Sequence, residues 1–272
     1  MPFGLKNGGS TYKKWVHIVV EGQIGHNVEA YIDDFIVKSK FKGGLIADLE
    51  ETFNNLHKNK MMLNPDKCSF GVSSGKLLGY LVSHRGIEAN PKKVRTIDDM
   101  RSPCNKNEVQ KLAGMMAALS RFVSKSGERG MLFYKLLKKH DGFLWNEQAK
   151  EVFQAFKQYL KQLPILVPPK DGETMLFYVA ATPTFVSTVV VVERQVEKSA
   201  KQHPVYFVSE VLHDARSKYP NIQKLIYAVL MSSRKLKHYF LSHKIKWFLH
   251  IHSVPLFIIE MPLVESLNGQ SS

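Results

Sequence analysis

Two adjacent carboxylates stand between apolar runs at Tyr31-Ile32-Asp33-Asp34, with Ala30 before the string and Phe35-Ile36-Val37 after it. Neighbouring carboxylates repel one another, and apolar flanks withhold the solvent that would screen them. A divalent cation relieves both penalties. Hard oxygen ligands of this kind suit Mg2+, which takes one or two carboxylates together with substrate phosphates. The matching chemistry is phosphoryl transfer, in which bound metals stabilise the attacking and leaving oxygens. The same four residues also fit a solvated turn, so the string gains meaning only from its surroundings. Other candidates are weaker. Gly8-Gly9 has no Lys-Ser/Thr after it and is a flexible turn rather than a phosphate loop. His250 and His252 alternate but have no cysteine or third ligand nearby for zinc.

The elements that must position the carboxylates follow from apolar spacing. Ala30 to Val37 reads as strand, two-carboxylate tip and strand, a hairpin without the usual glycine in its turn. Ile46, Leu49, Phe53 and Leu56 recur at spacings of three and four and predict a helix. Asn64-Pro65-Asp66 ends it as a turn, and short strands are expected over Cys68–Val72 and Lys76–Ser83. From Pro91 to about Leu163 the pattern is helical, with a stripe of Val109, Leu112, Met116, Leu119 and Phe122. Asn146 suits the cap of a further helix that turns Phe153, Phe156 and Leu160 inward. Leu163-Pro164 and Pro168-Pro169 mark a boundary. Strands rich in Val, Phe and Tyr follow at Met175–Val179, Ser187–Arg194 and Val205–Val208. A helix over Asn221–Tyr239 carries Ile222, Ile226, Val229, Leu230 and Leu236 as its apolar residues, and a strand runs over Ile245–Ile251. The polar tail Leu267–Ser272 is expected to fray.

Composition narrows the partners. The 272 residues hold 38 Lys+Arg against 24 Asp+Glu, a formal charge of +14, and a surplus this large suits a polyanion. Lys135, Lys138, Lys139 and His140 form one basic cluster, and Arg234, Lys235, Lys237, Lys244 and Lys246 form another. Both suit phosphate contacts, which position a nucleic acid without reading its sequence. At 44% hydrophobic and 23% charged, the chain is neither disordered nor coiled coil. No apolar run is long enough to span a bilayer, and the N-terminus has no signal-peptide pattern. Two cysteines, Cys68 and Cys104, build no disulfide framework. The expectation is an intracellular protein of cytoplasm or nucleus, not secreted and without a membrane partner.

Taken in order, the motifs resemble the polymerase polyprotein of gypsy-type long-terminal-repeat retrotransposons, of the kind common in plants. Met1-Pro2-Phe3-Gly4 resembles the reverse transcriptase segment that lines the nucleotide and template site, and Tyr31-Ile32-Asp33-Asp34 resembles the catalytic hairpin of its palm. Leu63-Asn64-Pro65-Asp66 is similar to the next palm segment, and Leu78-Gly79-Tyr80 to the primer-gripping hairpin. Val109 to Leu112 with Ala117 to Phe122 is similar to the thumb helix, and Phe177 to Ile245 to an RNase H-like domain.

The resemblance implies an α+β architecture: the C-terminal part of a palm over residues 1–90, a helical thumb and connection over 91–168, and a truncated, degenerate RNase H-like α/β domain over 169–272. The implied activity is RNA-directed DNA polymerisation with Mg2+ on Asp33 and Asp34. Pro2, Phe3, Gly4 and Tyr31 would face nucleotide and template, and Leu78, Gly79 and Tyr80 would grip the primer. Lys92, Lys93 and Arg95, just after the hairpin, would meet the nucleic-acid backbone. The implied partner is an RNA/DNA primer–template duplex. The family's third metal carboxylate lies upstream of the Met-Pro-Phe-Gly segment, so Asp33 and Asp34 are an incomplete set that holds metal weakly. A longer polymerase chain is the partner that would complete it. In the RNase H-like part, Ala180, Leu225 and Ser253 fall where active nucleases carry carboxylates. The expectation is a fragment inactive alone. The alternatives are a non-catalytic nucleic-acid-binding remnant and an unstable pseudogene product.

Overall fold

The computed structural model describes residues 4–32, 34–39, 41–138, 143–196, 199–251 and 254–261. The polar tail 267–272 lies outside them. The architecture is α+β, in two compact units, Met1–Val72 and Ser73–Ser272. No helix among the described residues is long and apolar enough to cross a membrane.

The first unit holds helix α1 (Gly8–Val19), strands β1 (Val28–Tyr31) and β2 (Asp34–Val37), and helix α2 (Leu45–Lys58). The strands pair antiparallel from Val28↔Val37 to Tyr31↔Asp34, so the expected hairpin forms with Asp34 in its second strand rather than in the turn. A small core of Val16, Val19, Val20, Val28 and Leu56 lies beneath them, with Phe35 and Val37 packed against it. The apolar spacing of Tyr12, Val16 and Val19 is helical, but Gly8, Gly9 and the β-branched valines have poor helix propensity and mask it. Beside the core a buried amide network spans loop and helix. Gln23 donates to Thr52 at 3.1 Å, Asn55 donates to Gln23 at 2.9 Å, and Asn27 donates to Asp48 and Glu51 at 2.9 Å each. Asn27's hydrogen bond is the first cause that holds the Asp48 carboxyl below its ordinary value.

The strand expected over Cys68–Val72 does not form. Asn64 accepts from Asp66 N at 3.0 Å and winds Pro65–Lys67 into a 3-10 turn. Gly71 then takes φ +61, and among the described residues no strand pairs with the segment. Extended residues without a ladder partner gain nothing from a strand conformation.

The second unit begins with a three-stranded antiparallel sheet of β3 (Ser74–Leu77), β4 (Tyr80–Ser83) and β5 (Gly86–Ala89). Helices α3 (Pro91–Asp98), α4 (Lys106–Leu119), α5 (Ser126–Lys138) and α6 (Glu147–Leu160) follow. Each start is written locally. Asn90, Asn105 and Asn146 cap α3, α4 and α6 by accepting from Lys92, Glu108 and Ala149 amides, and Pro91 sits in the first turn of α3. Lys157 of α6 donates at 2.7 Å to the carbonyls of Asp98 and Met100, which places a cation at the C-terminus of α3. The helices share a core of Leu112, Met116, Phe133, Phe153 and Phe156.

A mixed five-stranded sheet completes the unit, in the order β10-β9-β6-β7-β8. Its strands are β6 (Met175–Ala181), β7 (Phe185–Val196), β8 (Ser199–Val211), β9 (Ile245–Ile251) and β10 (Val254–Met261). The central pair β6–β9 is parallel and the other pairs are antiparallel. Helix α7 (Asn221–Lys235) packs Leu225 and Ala228 onto the core of Phe177, Val190 and Trp247. The helix expected to run through Tyr239 breaks at Leu236, and α8 (Lys237–Ser242) is a separate turn. Pro204 sits in β8 beside the bulge between Val190 and Val191, where a missing amide proton is tolerated. The carbonyl of Pro204 accepts from Val167 N at 2.9 Å. One residue earlier, Leu166 exchanges both backbone bonds with Ile87, at 2.7 and 2.9 Å. The proline-bounded segment therefore stitches β5 to β8.

Candidate active-site and nucleic-acid-binding residues

The hairpin β1–β2 holds its tip by anchoring Val28 in the core and leaving the turn outside. A two-residue turn between Tyr31 and Asp34 calls for positive φ, and Ile32 adopts φ +51. A β-branched residue in that region is strained by about 1–3 kcal/mol. Tyr31 and Ile32 are 53% and 47% exposed, and Asp34 is exposed as well. Burial therefore does not penalise the Asp34 carboxylate. Ala30, Phe35 and Val37 pack against the core while Tyr31, Ile32 and Asp34 meet water, which corrects the low-dielectric surroundings expected from the sequence. Asp33, Pro2 and Phe3 lie outside the described residues. Gly4 is exposed at φ +94, a conformation open to glycine. Among the described residues no group of three or more His, Cys, Asp or Glu side chains converges on a metal position.

The second hairpin has a two-residue turn in which Leu78 and Gly79 take φ +51 and +77, between Leu77 and its partner Tyr80. Leu78 is 47% exposed, while Tyr80 is half-buried and edges onto the fully buried Phe122, ring centres 5.6 Å apart. The three cations after the hairpin separate. Lys92 and Arg95 point from α3 into solvent, three residues apart on one face. Lys93 turns back, its Nζ 5.9 Å from the Tyr80 ring centre. A Cβ at Gly79 would stand 2.9 Å from that ammonium. Lys92 and Arg95 thus present their charge to solvent, while Lys93 stands against the turn.

At the nuclease-like positions the structure is apolar. Ala180 lies on β6 opposite Ser187, and Leu225 is 1% exposed on the inward face of α7. Ser253 lies outside the described residues. Beside Leu225, the buried Lys224 donates to the carbonyl of Pro183 at 3.1 Å and so ties α7 to the β6–β7 turn with a cation. Ser232 and Thr188 form a second buried tie at 2.8 Å. Ala180 and Leu225, at the positions where the resemblance places carboxylates, offer no side-chain oxygen.

Basic surface gathers on α7. Arg216, Arg234 and Lys235 line a cavity of about 390 Å3 together with Tyr227, Leu230 and Met231. Glu210 accepts from both Arg216 and the Tyr227 hydroxyl. Burial first, and then Glu210, pushes that hydroxyl above its ordinary value. Lys135 and Lys138 occupy the last turn of α5, whereas Lys139 and His140 lie outside the described residues. Arg121, noted in the sequence only as part of the thumb-like run Ala117 to Phe122, meets Tyr206, which no motif marked, within the second unit. Arg121 falls after the end of α4, where no periodicity marks it.

Comparison with known proteins agrees with this arrangement. Residues 1–82 match the family model for reverse transcriptase (RNA-dependent DNA polymerase), and residues 145–247 match the RNase H-like domain found in reverse transcriptase. The retrovirus-related Pol polyprotein from transposon 297 of Drosophila melanogaster is 25% identical over 248 residues, which is 90% of this chain and 22% of that protein. The transposon Tf2-3 polyprotein of Schizosaccharomyces pombe is 22% identical over 239 residues, 88% of this chain and 18% of that one. The chain therefore spans about a fifth of the length of these curated relatives. Among solved structures, a foamy viral protease–reverse transcriptase in complex with RNA/DNA hybrid superimposes with TM-score 0.79 at 17% identity, covering 93% of this chain and 34% of that one. Its counterpart in complex with dsDNA gives TM-score 0.79 at 18% identity over 93% of this chain and 52% of that one.

Proposed function

We propose that this chain, which joins a reverse transcriptase segment to an RNase H-like domain, is a piece of a gypsy-type, plant-like retrotransposon polymerase that grips an RNA/DNA primer–template duplex. The observation that carries the reading is the order of the parts: a carboxylate hairpin, a second hairpin with solvent-facing cations behind it, a helical middle and a five-stranded mixed sheet, in a fold shared over 93% of the chain with a reverse transcriptase. The division of labour is palm over 1–90, thumb and connection over 91–168, and RNase H-like domain over 169–272. Asp33 and Asp34 supply Mg2+ ligands, Pro2, Phe3, Gly4 and Tyr31 face nucleotide and template, and Leu78, Gly79 and Tyr80 face the primer. Lys92 and Arg95 neutralise phosphates. The bound metal would stabilise the charge of the transferring phosphoryl group, a role that depends on exact placement.

The 272 residues by themselves bind the duplex without extending or cutting it, and a longer polymerase chain supplies what the chemistry lacks. Ala180 and Leu225 favour this binding role for the RNase H-like half over cleavage. The setting is cytoplasm or nucleus. The test is fluorescence anisotropy of a recessed-end RNA/DNA hybrid at several salt concentrations, with primer extension and hybrid cleavage assayed in Mg2+. The logarithm of the affinity should fall linearly with log salt, with a slope of about 0.9 per phosphate neutralised, and both reactions should stay at background. Binding no stronger than to unrelated polyanions would end the duplex reading. Magnesium-dependent extension or cleavage would end the claim of inactivity.

A further inference from the structure

The contacts around Tyr80 give work to the half of the molecule whose nuclease positions are apolar. Tyr80 follows the tip Leu78-Gly79 directly and is the first residue of β4. The Arg121 guanidinium carbon lies 5.6 Å from the Tyr80 ring centre and 4.7 Å from that of Tyr206 on β8. One planar cation therefore touches both the hairpin and the edge strand of the five-stranded sheet. Its Nε is buried with no hydrogen-bond acceptor, so ring faces hold the guanidinium. The backbone fixes the same junction, because Phe207 N donates to the Arg121 carbonyl at 3.2 Å. A second tie lies at the far end of the small sheet. Ile87 pairs with Leu166, Val167 pairs with Pro204, and a Cβ at Gly86 would stand 2.2 Å from the Leu166 carbonyl oxygen. A sheet of three four-residue strands has little apolar face of its own, and packing against the rest of the unit adds to its order.

We propose that the RNase H-like sheet serves as the mount of the primer-grip-like hairpin, with Arg121 as the positioning residue that fixes Tyr80 to it. The domain then keeps a function in nucleic-acid handling without nuclease carboxylates. This rests on the reading that the hairpin meets the duplex. The planar fork of arginine is needed, since a lysine ammonium cannot lie flat between two rings.

Four variants test it: Arg121→Lys, Arg121→Ala, Tyr206→Leu and Tyr206→Phe, each followed by amide hydrogen exchange of Leu77, Leu81 and Val82 and by hybrid binding against salt. In Arg121→Lys, Arg121→Ala and Tyr206→Leu the hairpin amides should exchange about three- to thirtyfold faster, the range that a desolvated cation–ring contact spans. Hybrid affinity should fall by a similar factor with an unchanged salt slope. Tyr206→Phe keeps the ring and should match the parent. A slope lower by about one in Arg121→Ala, restored in Arg121→Lys, would make Arg121 a direct phosphate contact and overturn the proposal. Hairpin exchange unchanged in Arg121→Lys and Tyr206→Leu would overturn it too. If the parent chain fails to bind hybrid while the exchange pattern holds, the duplex reading falls and the mount stands.

Discussion

The two hairpins use the same local device and differ in what stands behind it. Each turns through two residues and forces a bulky apolar side chain to φ +51, Ile32 in one and Leu78 in the other. Behind β1–β2 lie five buried aliphatic residues and an amide network. Behind β3–β4 lie Phe122, Arg121 and a backbone ladder that continues through Leu166 into the five-stranded sheet. Under the proposed function the first tip would accept metal and substrate and gains from standing exposed on a small support, whereas the second would hold a strand end and gains from a stiff mount. The strain is alike in both, so the support decides how far each tip can move.

The largest effect should come from cutting the ladder. Gly86→Ala places a Cβ against the Leu166 carbonyl at a backbone φ of +134. The expected loss is about 3–5 kcal/mol, from strain plus a broken strand pair. Urea denaturation checks it, and a loss under about 1 kcal/mol would mean that the ladder is not what backs the second hairpin.

Next in size are the two cores. Phe122→Ala should cost about 3–5 kcal/mol and Leu56→Ala about 2–4 kcal/mol, because both side chains are almost fully buried. Hydrogen exchange should localise the damage, with Phe122→Ala loosening the Tyr80 strand and Leu56→Ala loosening Val28–Val37. Equal loosening of both hairpins by either variant would erase the distinction between their supports.

Acid offers a smaller and selective lever on the larger unit. Glu173 accepts from Arg194 at 2.8 and 2.9 Å, and this pairing holds its carboxyl at about 2 against an ordinary value of 4.5. A depressed folded value means that the stabilisation is present in full above 4.5 and is lost as pH falls toward 2. With both side chains mostly buried, the contribution is about 2 kcal/mol, and Glu173→Gln should flatten the acid limb of a melting-temperature series. An unchanged limb would place the acid sensitivity elsewhere.

The smallest effect lies in the turns. Ile32→Gly and Leu78→Gly should each relieve strain and shift stability by about 1 kcal/mol or less, since glycine's added freedom in the unfolded chain offsets part of the gain. Calorimetry should give similar values for the two. A clear difference would show that tertiary contacts, and not φ alone, set the cost of one turn.

Much of this was legible in the residues. Apolar runs on either side of Asp33-Asp34 marked the first hairpin and Asn146 marked the start of α6, whereas Leu163-Pro164 and Pro168-Pro169, read as a boundary, enclose a segment whose backbone bonds tie β5 to β8. Helix α7 shows where reading stops. Its sequence offers two stripes, Ile222, Ile226 and Leu230 on one side and Leu225, Ala228 and Ser232 on the other. The first is the more apolar, yet Ile222 and Ile226 are each 60% exposed and the second stripe is buried. Ser232 goes inward because Thr188 meets its hydroxyl, and Lys224 because the Pro183 carbonyl meets its ammonium. Neither partner lies within forty residues along the chain.

The sequence by itself determined much of the inventory: the carboxylate string, most helices and strands of the second unit, the surplus of positive charge, and the apolar residues Ala180 and Leu225. These are properties of local spacing and residue type. Only the tertiary structure decided which face of α7 is buried, that the Asp34 tip meets water, that Lys93 turns inward while Lys92 and Arg95 turn out, and that Arg121 joins Tyr80 to Tyr206. Each depends on partners distant in sequence, whose approach is set by packing and strand register.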